Sequence, residues 1–383
     1  MSWEKVKLGD ICEINIGKTP SRNISSYWGG NNKWISISDL KGKRYIEDTK
    51  ENITEIAVKE SGIKAIPPNT LLYSFKLSIG KLAITKDDIY SNEAIASLPI
   101  LDKTKVSLDY LYWAMQTLQL DSVGDKAVMG ITLNKAKLKN LEIPLPPLPV
   151  QEKIAAVLDK ADALRRKDQE LLKKYDELAQ AIFIDMFGDP VKNEKGWEVK
   201  RLEELGNWAA GGTPSRNNNQ YFNGDIPWVS SGELNQIYIS DTKEKITLDA
   251  INNSATKLIE PFSLMLGMYD TAALKSSINT ISMTCNQAIA YSKIKHGNLV
   301  YVYKTLQLTK EHHKSKQRGV RQKNLNLSII RDIEIIFPPL HLQETFAKKI
   351  ELINQLRAQA NAVKSEELFQ SLLQRAFKAE LVR

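Results

Sequence analysis

The two halves of the chain repeat one another, and this repeat decides the fold. Residues 3–40 read WEKVKLGDICEINIGKTPSRNISSYWGGNNKWISISDL, and residues 197–234 read WEVKRLEELGNWAAGGTPSRNNNQYFNGDIPWVSSGEL. At a constant offset of 194, these segments are identical at 14 of 38 positions. Residues 45–61 and 238–254 are identical at 10 of 17 positions. A repeat of half the chain indicates a duplicated domain rather than a solenoid. It predicts two related surfaces, which favours a bivalent binder over an enzyme with one active site.

The composition is that of a globular protein with an excess of positive charge. The chain has 383 residues, enough for two domains with sizeable cores. Its formal charge of +8 is compatible with a polyanionic partner. No stretch reaches the ~18 uninterrupted apolar residues of a transmembrane helix. Charges at the N-terminus argue against a secretory signal, so we expect a cytoplasmic protein.

Each half of the chain follows the same internal plan. A segment rich in Gly, Asn and aromatic residues leads into short β-like runs, such as residues 71–75 and 81–85. Strands joined by polar loops that contain glycine favour an α+β fold. A run that ends at Pro146 and Pro147 then stops regular structure, because proline lacks a backbone donor and restrains the residue before it.

A long amphipathic helix is predicted after each proline-rich stop. The first covers residues 150–188, and its apolar positions recur every three or four residues, at Ile154, Val157, Ala161, Leu164, Leu171, Tyr175, Leu178 and Ile182. The second covers residues 342–383, with apolar positions at Phe346, Ile350, Ile353, Leu356, Ala360, Val363, Leu368 and Leu372. Such a helix cannot bury its apolar stripe alone, so we expect the two helices to pack together. The alternative is that each packs on its own globule or on another protein.

This order of globule, proline-rich stop and long helix, present twice, resembles the specificity subunits of type I restriction–modification systems. The motif Gly-x-Thr-Pro-Ser-Arg, followed by Tyr-x-x-Gly and Trp, is similar to the opening of their target recognition domains. It occurs at residues 17–22 and again at residues 211–216. The motif Pro-Pro-Leu-x-x-Gln-Glu, at residues 146–152 and 338–344, is similar to the family's junction into its helical regions.

The resemblance implies a division of labour within a larger complex. It implies target recognition domains at residues 1–149 and 189–341, and spacer helices at residues 150–188 and 342–383. Each recognition domain would read one half of a bipartite, asymmetric site in double-stranded DNA. The helices would form an antiparallel coiled coil on which two modification (methyltransferase) subunits dock, and restriction (translocase) subunits would join them. S-adenosylmethionine, ATP and Mg²⁺ would belong to those partners, and this chain would hold no cofactor.

The motifs that the sequence lacks agree with a non-catalytic role. It contains no phosphate loop ending in Gly-Lys-Ser/Thr, no G-x-G-x-x-G on a strand and no zinc-deaminase signature. His312 and His313 are adjacent rather than four residues apart, so we expect no metal site there. Cys12 and Cys285 lie in different repeats without metal-ligand neighbours, which predicts two ordinary thiols.

Candidate phosphate contacts lie in the repeated Gly-x-Thr-Pro-Ser-Arg loops, whose glycines would allow a close approach of the backbone. The residues that offer hydroxyl, amide or guanidinium donors there are Thr19, Ser21, Arg22, Asn23, Thr213, Ser215, Arg216 and Asn217. Because the motif recurs in domains that should read different sequences, it favours phosphate positioning over base reading. The alternative is that the motif fixes a turn and that its arginine forms an internal salt bridge.

Candidate base-reading residues lie where the two repeats diverge. Residues 74–81 and 267–275 differ, and the polar or cationic side chains chosen from them are Lys76, Ser78, Lys81, Tyr269 and Lys275. Residues 310–323 form the most basic loop, which contributes Lys314, Lys316, Arg318 and Arg321. The alternative for this loop is a merely solvated segment. Trp34 and Trp228 are flanked by apolar residues, so we expect them in the core.

A second hypothesis from another class is a structural scaffold. In that case two peptide- or protein-binding globules would be joined by the coiled coil, without a role in DNA recognition. The unequal basic loops and the repeated Thr-Pro-Ser-Arg argue for DNA. Binding of DNA by the assembled complex would distinguish the two hypotheses.

Overall fold

The computed structural model describes residues 3–76, 78–118, 133–269, 272–315, 325–360 and 362–381. The chain divides into two compact units. Unit 1 contains Met1–Gln169 and Asn361–Arg383, and unit 2 contains Glu170–Ala360. Each unit therefore holds one copy of the repeat, and the C-terminal segment belongs with the first copy.

The globule of unit 1 is built on a five-stranded and a three-stranded sheet. Its described strands are β1 (Lys5–Lys7), β2 (Asn15–Ile16), β3 (Trp28–Ile35), β4 (Tyr45–Ile46), β5 (Glu51–Ile53), β6 (Leu71–Ser74), β7 (Leu82–Thr85), β8 (Tyr90–Ser91), β9 (Ile95–Leu98) and β10 (Glu142–Pro144). Its described α-helices are α1 (Leu8–Ile11), α2 (Glu55–Ser61), α3 (Leu108–Gln116) and α4 (Lys135–Lys139). The larger sheet has the order β2-β9-β6-β7-β4, the smaller β5-β3-β8, and β1 pairs with β10.

The central strands of the larger sheet are buried on both faces. Leu71 and Tyr73 of β6 join a core with α3, whereas Leu72 lies in a second core with Ile35 of the smaller sheet. This division follows from the alternation of side chains along a strand. It explains why the strands read as continuous apolar runs rather than as a half-polar pattern.

Unit 2 repeats this topology strand for strand. Its described strands are β11 (Val199–Arg201), β12 (Ala209–Ala210), β13 (Ile226–Val229), β14 (Tyr238–Ile239), β15 (Glu244–Ile246), β16 (Leu264–Gly267), β17 (Ser276–Asn279), β18 (Thr284–Cys285), β19 (Ile289–Ser292) and β20 (Glu334–Ile336). Its described α-helices are α6 (Leu202–Leu205), α7 (Leu248–Asn252), α8 (Leu299–Ser315) and α9 (Leu327–Arg331). The sheets have the orders β12-β19-β16-β17-β14 and β15-β13-β18. The predicted α+β fold with an internal repeat is confirmed.

The long helices begin at a junction fixed by a buried glutamine. Helix α5 (Leu148–Phe187) follows Pro146-Pro147, and α10 (Leu340–Gln359) follows Pro338-Pro339. The Gln151 side chain donates to the Pro146 carbonyl at 2.8 Å and accepts from the Ser107 backbone at 2.9 Å. In unit 2, Gln343 makes the equivalent bonds to Pro338 and Asn298, at 2.7 and 2.9 Å. Both side chains are fully buried, and each satisfies a carbonyl of the proline-rich stop and a backbone N–H just before α3 or α8.

The helices pack in antiparallel pairs within each unit. In unit 2, Phe346 of α10 contacts Phe183 and Phe187 of α5, with ring centroids 5.4 and 5.5 Å apart. Further back along α5, Asp176 pairs with Arg357, so the two helices run in opposite directions. In unit 1, the first turns of α5 share a core with Leu373 and Ala376 of α11 (Ala362–Phe377). The more C-terminal Arg165 pairs instead with Glu366, near the start of α11, at 3.1 Å.

The predicted apolar stripe of the first helix is partly wrong. Val157, Leu164, Leu171 and Leu178 are 36–48% exposed. The buried face lies one residue further on, at Leu158, Asp162, Ala179 and Phe183. Apolar residues occupy two adjacent lines on this helix, so spacing alone does not select the packed one. Asp162 is accommodated in that face because Arg165 and Arg166 pair with it, at 2.5 and 2.6 Å.

The second predicted helix is interrupted. Helix α10 ends at Gln359, and Ala360 takes an extended conformation with ψ of 105° before α11 begins. Phe346 and Ile353 are buried and lie seven residues apart, and an unbroken helix would continue this repeat at positions 367 and 374. The buried residues are instead Phe369 and Ala376. The break shifts the buried face by two residues, so Val363 and Leu368 of the predicted stripe are exposed. None of the described helices is long and apolar enough to cross a membrane.

Candidate nucleic-acid interface

Three loops meet at one edge of the larger sheet in unit 1. They follow β2, follow β6 and precede β9. Gly17 N donates to Ile95 O at 3.2 Å, and Phe75 N donates to Ala94 O at 3.0 Å. Because β9 runs antiparallel to both neighbours, its first residues lie beside their last residues. We call residues 17–23, 74–81 and 92–94 the recognition edge of unit 1, of which 77 is outside the described residues.

Unit 2 has the equivalent edge. Gly211 N donates to Ile289 O at 3.0 Å, and Met268 N donates to Ala288 O at 2.8 Å. The recognition edge of unit 2 comprises residues 211–217, 267–275 and 286–288, of which 270 and 271 are outside the described residues. In each unit, the structure therefore brings together the two stretches from which candidate contacts were predicted.

The repeated glycines serve the internal packing of this edge. An added Cβ at Gly17 would lie 2.2 Å from Ser91 Oγ and 2.3 Å from Asn92 O. At Gly211 the equivalent atom would lie 2.3 Å from Asn286 O. Both glycines allow the loop to approach the strand beside it, and a close approach of DNA to the same backbone stays a prediction.

The arginine of each motif forms an internal salt bridge. Arg22 pairs with Glu51 through both of its terminal nitrogens, one at 2.9 Å, and lies 3.8 Å from the ring centre of Trp28. Arg216 pairs in the same way with Glu244, again with one bond of 2.9 Å. These bonds hold the pKa values of both glutamates below their ordinary range.

The internal salt bridge that was the alternative interpretation is thus present in both units. It does not use every donor of the arginines, because a guanidinium has five N–H groups and a carboxylate occupies two. The side chains of Arg22 and Arg216 are about half exposed. Phosphate contact by these arginines stays a prediction.

The threonine of each motif bonds to the loop that precedes β9 or β19. The Thr19 hydroxyl donates to the carboxylate of Glu93, and the Thr213 hydroxyl donates to the amide oxygen of Gln287. This hydrogen bond holds the pKa of Glu93 below its ordinary value. Glu93 and Gln287 were absent from the residues predicted from the sequence, although the aligned segments Asn-Glu-Ala-Ile-Ala and Asn-Gln-Ala-Ile-Ala already differ at this one position.

The tryptophans support the motif loops from the core. Trp34 and Trp228 are buried, as predicted. Trp34 Nε1 donates to the Lys18 carbonyl at 3.2 Å, and Trp228 Nε1 donates to the Gly212 carbonyl at 3.0 Å. The backbone of each loop is therefore fixed from below while its polar side chains face outward. The exposed ones among the predicted residues are Ser21, Arg22, Asn23, Ser215, Arg216 and Asn217.

The divergent loops, residues 74–81 and 267–275, differ in their hydrogen bonds. In unit 1 the Ser74 hydroxyl donates to Ser78 O at 2.5 Å and accepts from Lys81 N at 2.9 Å. The side chains of Lys76, Ser78 and Lys81 are exposed. In unit 2, Lys275 donates to Asn235 Oδ1 at 3.0 Å, and Tyr269 is half-buried.

A cationic cluster adjoins the recognition edge of unit 2. Helix α8 extends to Ser315 and carries Lys310 and Lys314 near its end. Burial lowers the pKa of Lys310, and the nearby charges of Lys314 and Lys275 lower it further. Lys314 also pairs within the helix with Glu311, at 3.7 Å. An anion bound beside Lys310 would offset the like charges that lower its pKa.

The prediction of a loop over residues 310–323 is wrong for residues 310–315, which are the last residues of helix α8. Residues 316–323, with Lys316, Arg318 and Arg321, lie outside the described residues. The described chain resumes at Leu325, whose N–H donates to Met268 O at 2.8 Å. The segment that follows the basic loop therefore lies at the recognition edge. Lys310 was not among the predicted contacts, because its place beside Lys275 depends on the packing of α8 against β17.

The described residues show neither a cluster of metal ligands nor a reactive cysteine. No group of three or more His, Cys, Asp or Glu residues among them is arranged to hold a metal ion. Cys12 and Cys285 are buried free thiols, and burial raises the pKa of Cys12 to about 12. Such a thiol is protonated at neutral pH and is a poor nucleophile.

Comparison with known proteins identifies the family. The profile of the type I restriction modification DNA specificity domain matches residues 1–174 and 194–367, one match for each repeat. The chain belongs to this family. It is 28% identical over 375 residues to the type I restriction enzyme MjaIX specificity subunit of Methanocaldococcus jannaschii, with 91% of this chain and 86% of that protein covered.

Solved structures share the fold. The S subunit of a type I restriction–modification system from M. genitalium has a TM-score of 0.63 at 14% identity, covering 98% of this chain and 96% of that one. A chain of another solved type I system has a TM-score of 0.53 at 17% identity, covering 99% and 98%. As a specificity subunit, this type I family member supplies DNA sequence recognition and is not the catalytic component.

Proposed function

We propose that this specificity subunit reads a bipartite, asymmetric DNA site, with one half-site at each recognition edge. The proposal rests on one observation: the two recognition edges share the same internal contacts but expose different side chains. The Arg–Glu pair, the Thr hydrogen bond and the buried Trp occur in both units. A common frame supports a common approach to phosphates, and the different side chains on it support different half-sites.

The two edges differ in charge as well as in shape. Unit 2 places Lys275, Lys310 and Lys314 at or beside its edge, and the basic residues 316–323 follow them. Unit 1 carries Lys76 and Lys81, together with the carboxylate of Glu93. Edges with different donors and acceptors favour different base edges, so we expect a site that is not a palindrome.

The exposed apolar residues on the helices support a role for these helices in docking. Along α5, Val157, Leu164, Leu171 and Leu178 recur every seven residues and are each more than a third exposed. A row of exposed apolar side chains along one helix gives a partner protein apolar surface to bury. We propose that two modification subunits dock on the helices and that restriction subunits join them. S-adenosylmethionine, ATP and Mg²⁺ would then serve the partners, in the cytoplasm where the DNA lies.

The full-length chain, purified with its modification subunits, should select a split motif from a random pool of DNA duplexes. The expected motif has two short specified elements separated by a fixed unspecified gap. Exchange of residues 1–143 for the equivalent globule of a relative should change one element only. A continuous motif, or an exchange that rewrites both elements, would show that the two edges do not read separate half-sites.

A further inference from the structure

Glu93 and Gln287 occupy equivalent places in the two units. Each follows an asparagine and precedes the strand that starts at Ile95 or Ile289. Each accepts a hydrogen bond from the threonine of its Thr-Pro-Ser-Arg loop. Both side chains are exposed at the recognition edge. The two positions therefore share backbone, partner and exposure, and they differ in one respect: the first is an acid and the second is an amide.

This difference changes what each side chain offers to a ligand. The threonine occupies one oxygen lone pair and thereby fixes the orientation of the side chain. The lowered pKa of Glu93 keeps it ionised at neutral pH, so it can only accept hydrogen bonds. Gln287 retains an acceptor lone pair and also two amide N–H donors, which have no partner among the described residues.

A carboxylate on a surface that faces DNA needs a specific reason to be there. Phosphates repel it, although the nearby cations of Lys76 and Arg22 favour its ionised form. In the major groove, however, the cytosine N4 amino group is a donor that a carboxylate accepts. Adenine presents an N6 donor beside the N7 acceptor, a pair that matches an amide but not a carboxylate.

We propose that Glu93 and Gln287 are specificity-determining residues, with Glu93 selecting a cytosine in one half-site and Gln287 selecting an adenine in the other. The inference rests on the proposed function and names the residue that distinguishes the two half-sites at this shared position. The Thr-Pro-Ser-Arg loop then has two tasks, since it supports the edge and also orients the reading side chain.

Two isosteric substitutions test the proposal, Glu93→Gln and Gln287→Glu, each in the full-length chain with its modification subunits. The readout is the motif selected from random duplexes, together with the affinity for the wild-type site. E93Q should change one base pair of one half-site from cytosine towards adenine. Q287E should change one base pair of the other half-site from adenine towards cytosine. Each should weaken binding to the original site by about 10- to 100-fold, the range of one hydrogen bond to a charged group for E93Q and of one bidentate contact for Q287E.

The controls separate base reading from support of the loop. Glu142→Gln makes the same chemical change on β10, outside the recognition edge, and should leave the motif unaltered. Glu93→Ala and Gln287→Ala should lose the preference at the same base pairs without acquiring a new one. Unchanged motifs in E93Q and Q287E, or equal weakening on all sequences, would overturn the assignment. A wild-type complex that selects no motif would overturn the proposed function itself.

Discussion

Arg165 of α5 pairs with Glu366 of α11, and the sequence repeat places the same ion pair in unit 2, between Arg357 of α10 and Asp176 of α5. Arg165 and Arg357 lie 14 residues after the buried glutamines Gln151 and Gln343. The first half of α5 is therefore the counterpart of α10, and its second half is the counterpart of α11. The duplication therefore includes the helices. In unit 1 the first half of α5 pairs with α11, and in unit 2 the second half of α5 pairs with α10.

This pairing predicts a modest but specific coupling in unit 2. The Arg357 and Asp176 side chains are 34% and 60% exposed, so solvent screens their attraction. R357D alone and D176R alone should each lower the midpoint of urea unfolding. The double variant should recover most of the loss, with a coupling free energy of about 0.2–1 kcal/mol. Additive effects of the two changes would mean that the ion pair does not contribute to the helix contact.

A strained residue in unit 2 predicts a stabilising substitution. Phe262 has φ of 58°, in the left-handed region, and its equivalent in unit 1 is Asn69 with φ of 57°. Asparagine adopts this conformation more readily than a bulky residue, which pays about 1–2 kcal/mol there. Phe262→Asn should therefore raise the stability of unit 2, and Asn69→Phe should lower that of unit 1. Thermal or urea unfolding of both variants measures the effect. If both changes destabilise, loss of side-chain contacts outweighs the backbone term.

The sequence predicts the architecture well where local chemistry is repeated. The two Pro-Pro-Leu-x-x-Gln-Glu motifs mark the helix starts because part of the task of Gln151 and Gln343 is local, a hydrogen bond to the carbonyl of Pro146 or Pro338. The helix face was predicted less well. Val157 and Leu158 are adjacent apolar residues, and only the position of the partner helix decides which is buried.

Site residues were hardest to predict where their role depends on distant segments. Arg22 contacts Glu51, and Lys310 lies near Lys275, although each pair is far apart in sequence. Glu93 carried a signal, because it is a charge difference inside an otherwise repeated segment. A comparison that considers only divergent loops overlooks such a position.

Arg22 has two possible roles, contact with a DNA phosphate and the internal salt bridge with Glu51. A substitution of Glu51 is the control that separates them. Arg22→Ala removes a cation and leaves Glu51 unpaired, whereas Glu51→Gln removes the salt bridge and keeps the cation. If Arg22 contacts a phosphate, only R22A should reduce the slope of log affinity against log salt, by up to about 0.9. The pair Arg216→Ala and Glu244→Gln repeats the test in unit 2. Equal slopes for R22A and E51Q would assign Arg22 a structural role alone.

Replacement of Lys310 should raise the stability of the protein and weaken its binding to DNA. Its pKa is lowered in the folded protein, so its charged form costs folding free energy at neutral pH, and stability should rise as pH increases through the folded pKa. Lys310→Met should remove that cost and flatten this alkaline rise. DNA binding by K310M should weaken, with a salt slope reduced by up to about 0.9. Lys64→Met, in the other unit and away from the recognition edges, is the matched control. Stabilisation of K310M without a change in DNA affinity would place the cluster outside the interface.

The continuity of α5 predicts how the gap of the DNA site can be changed. This helix belongs to unit 1 up to Gln169 and to unit 2 from Glu170, so its backbone is continuous between the units. Seven inserted helical residues at this point add about 10 Å, because each residue adds about 1.5 Å. A matched insertion between Ala360 and Asn361 would preserve the pairing of α5 with α10 and α11 inside each unit. The double insertion should lengthen the unspecified gap by about three base pairs, at about 3.4 Å per step, without changing either half-site. A single insertion leaves the two helices unequal and should weaken binding instead. Motif selection with the assembled complex measures both results, and an unchanged gap in the double insertion would exclude the helices as the spacer between the two edges.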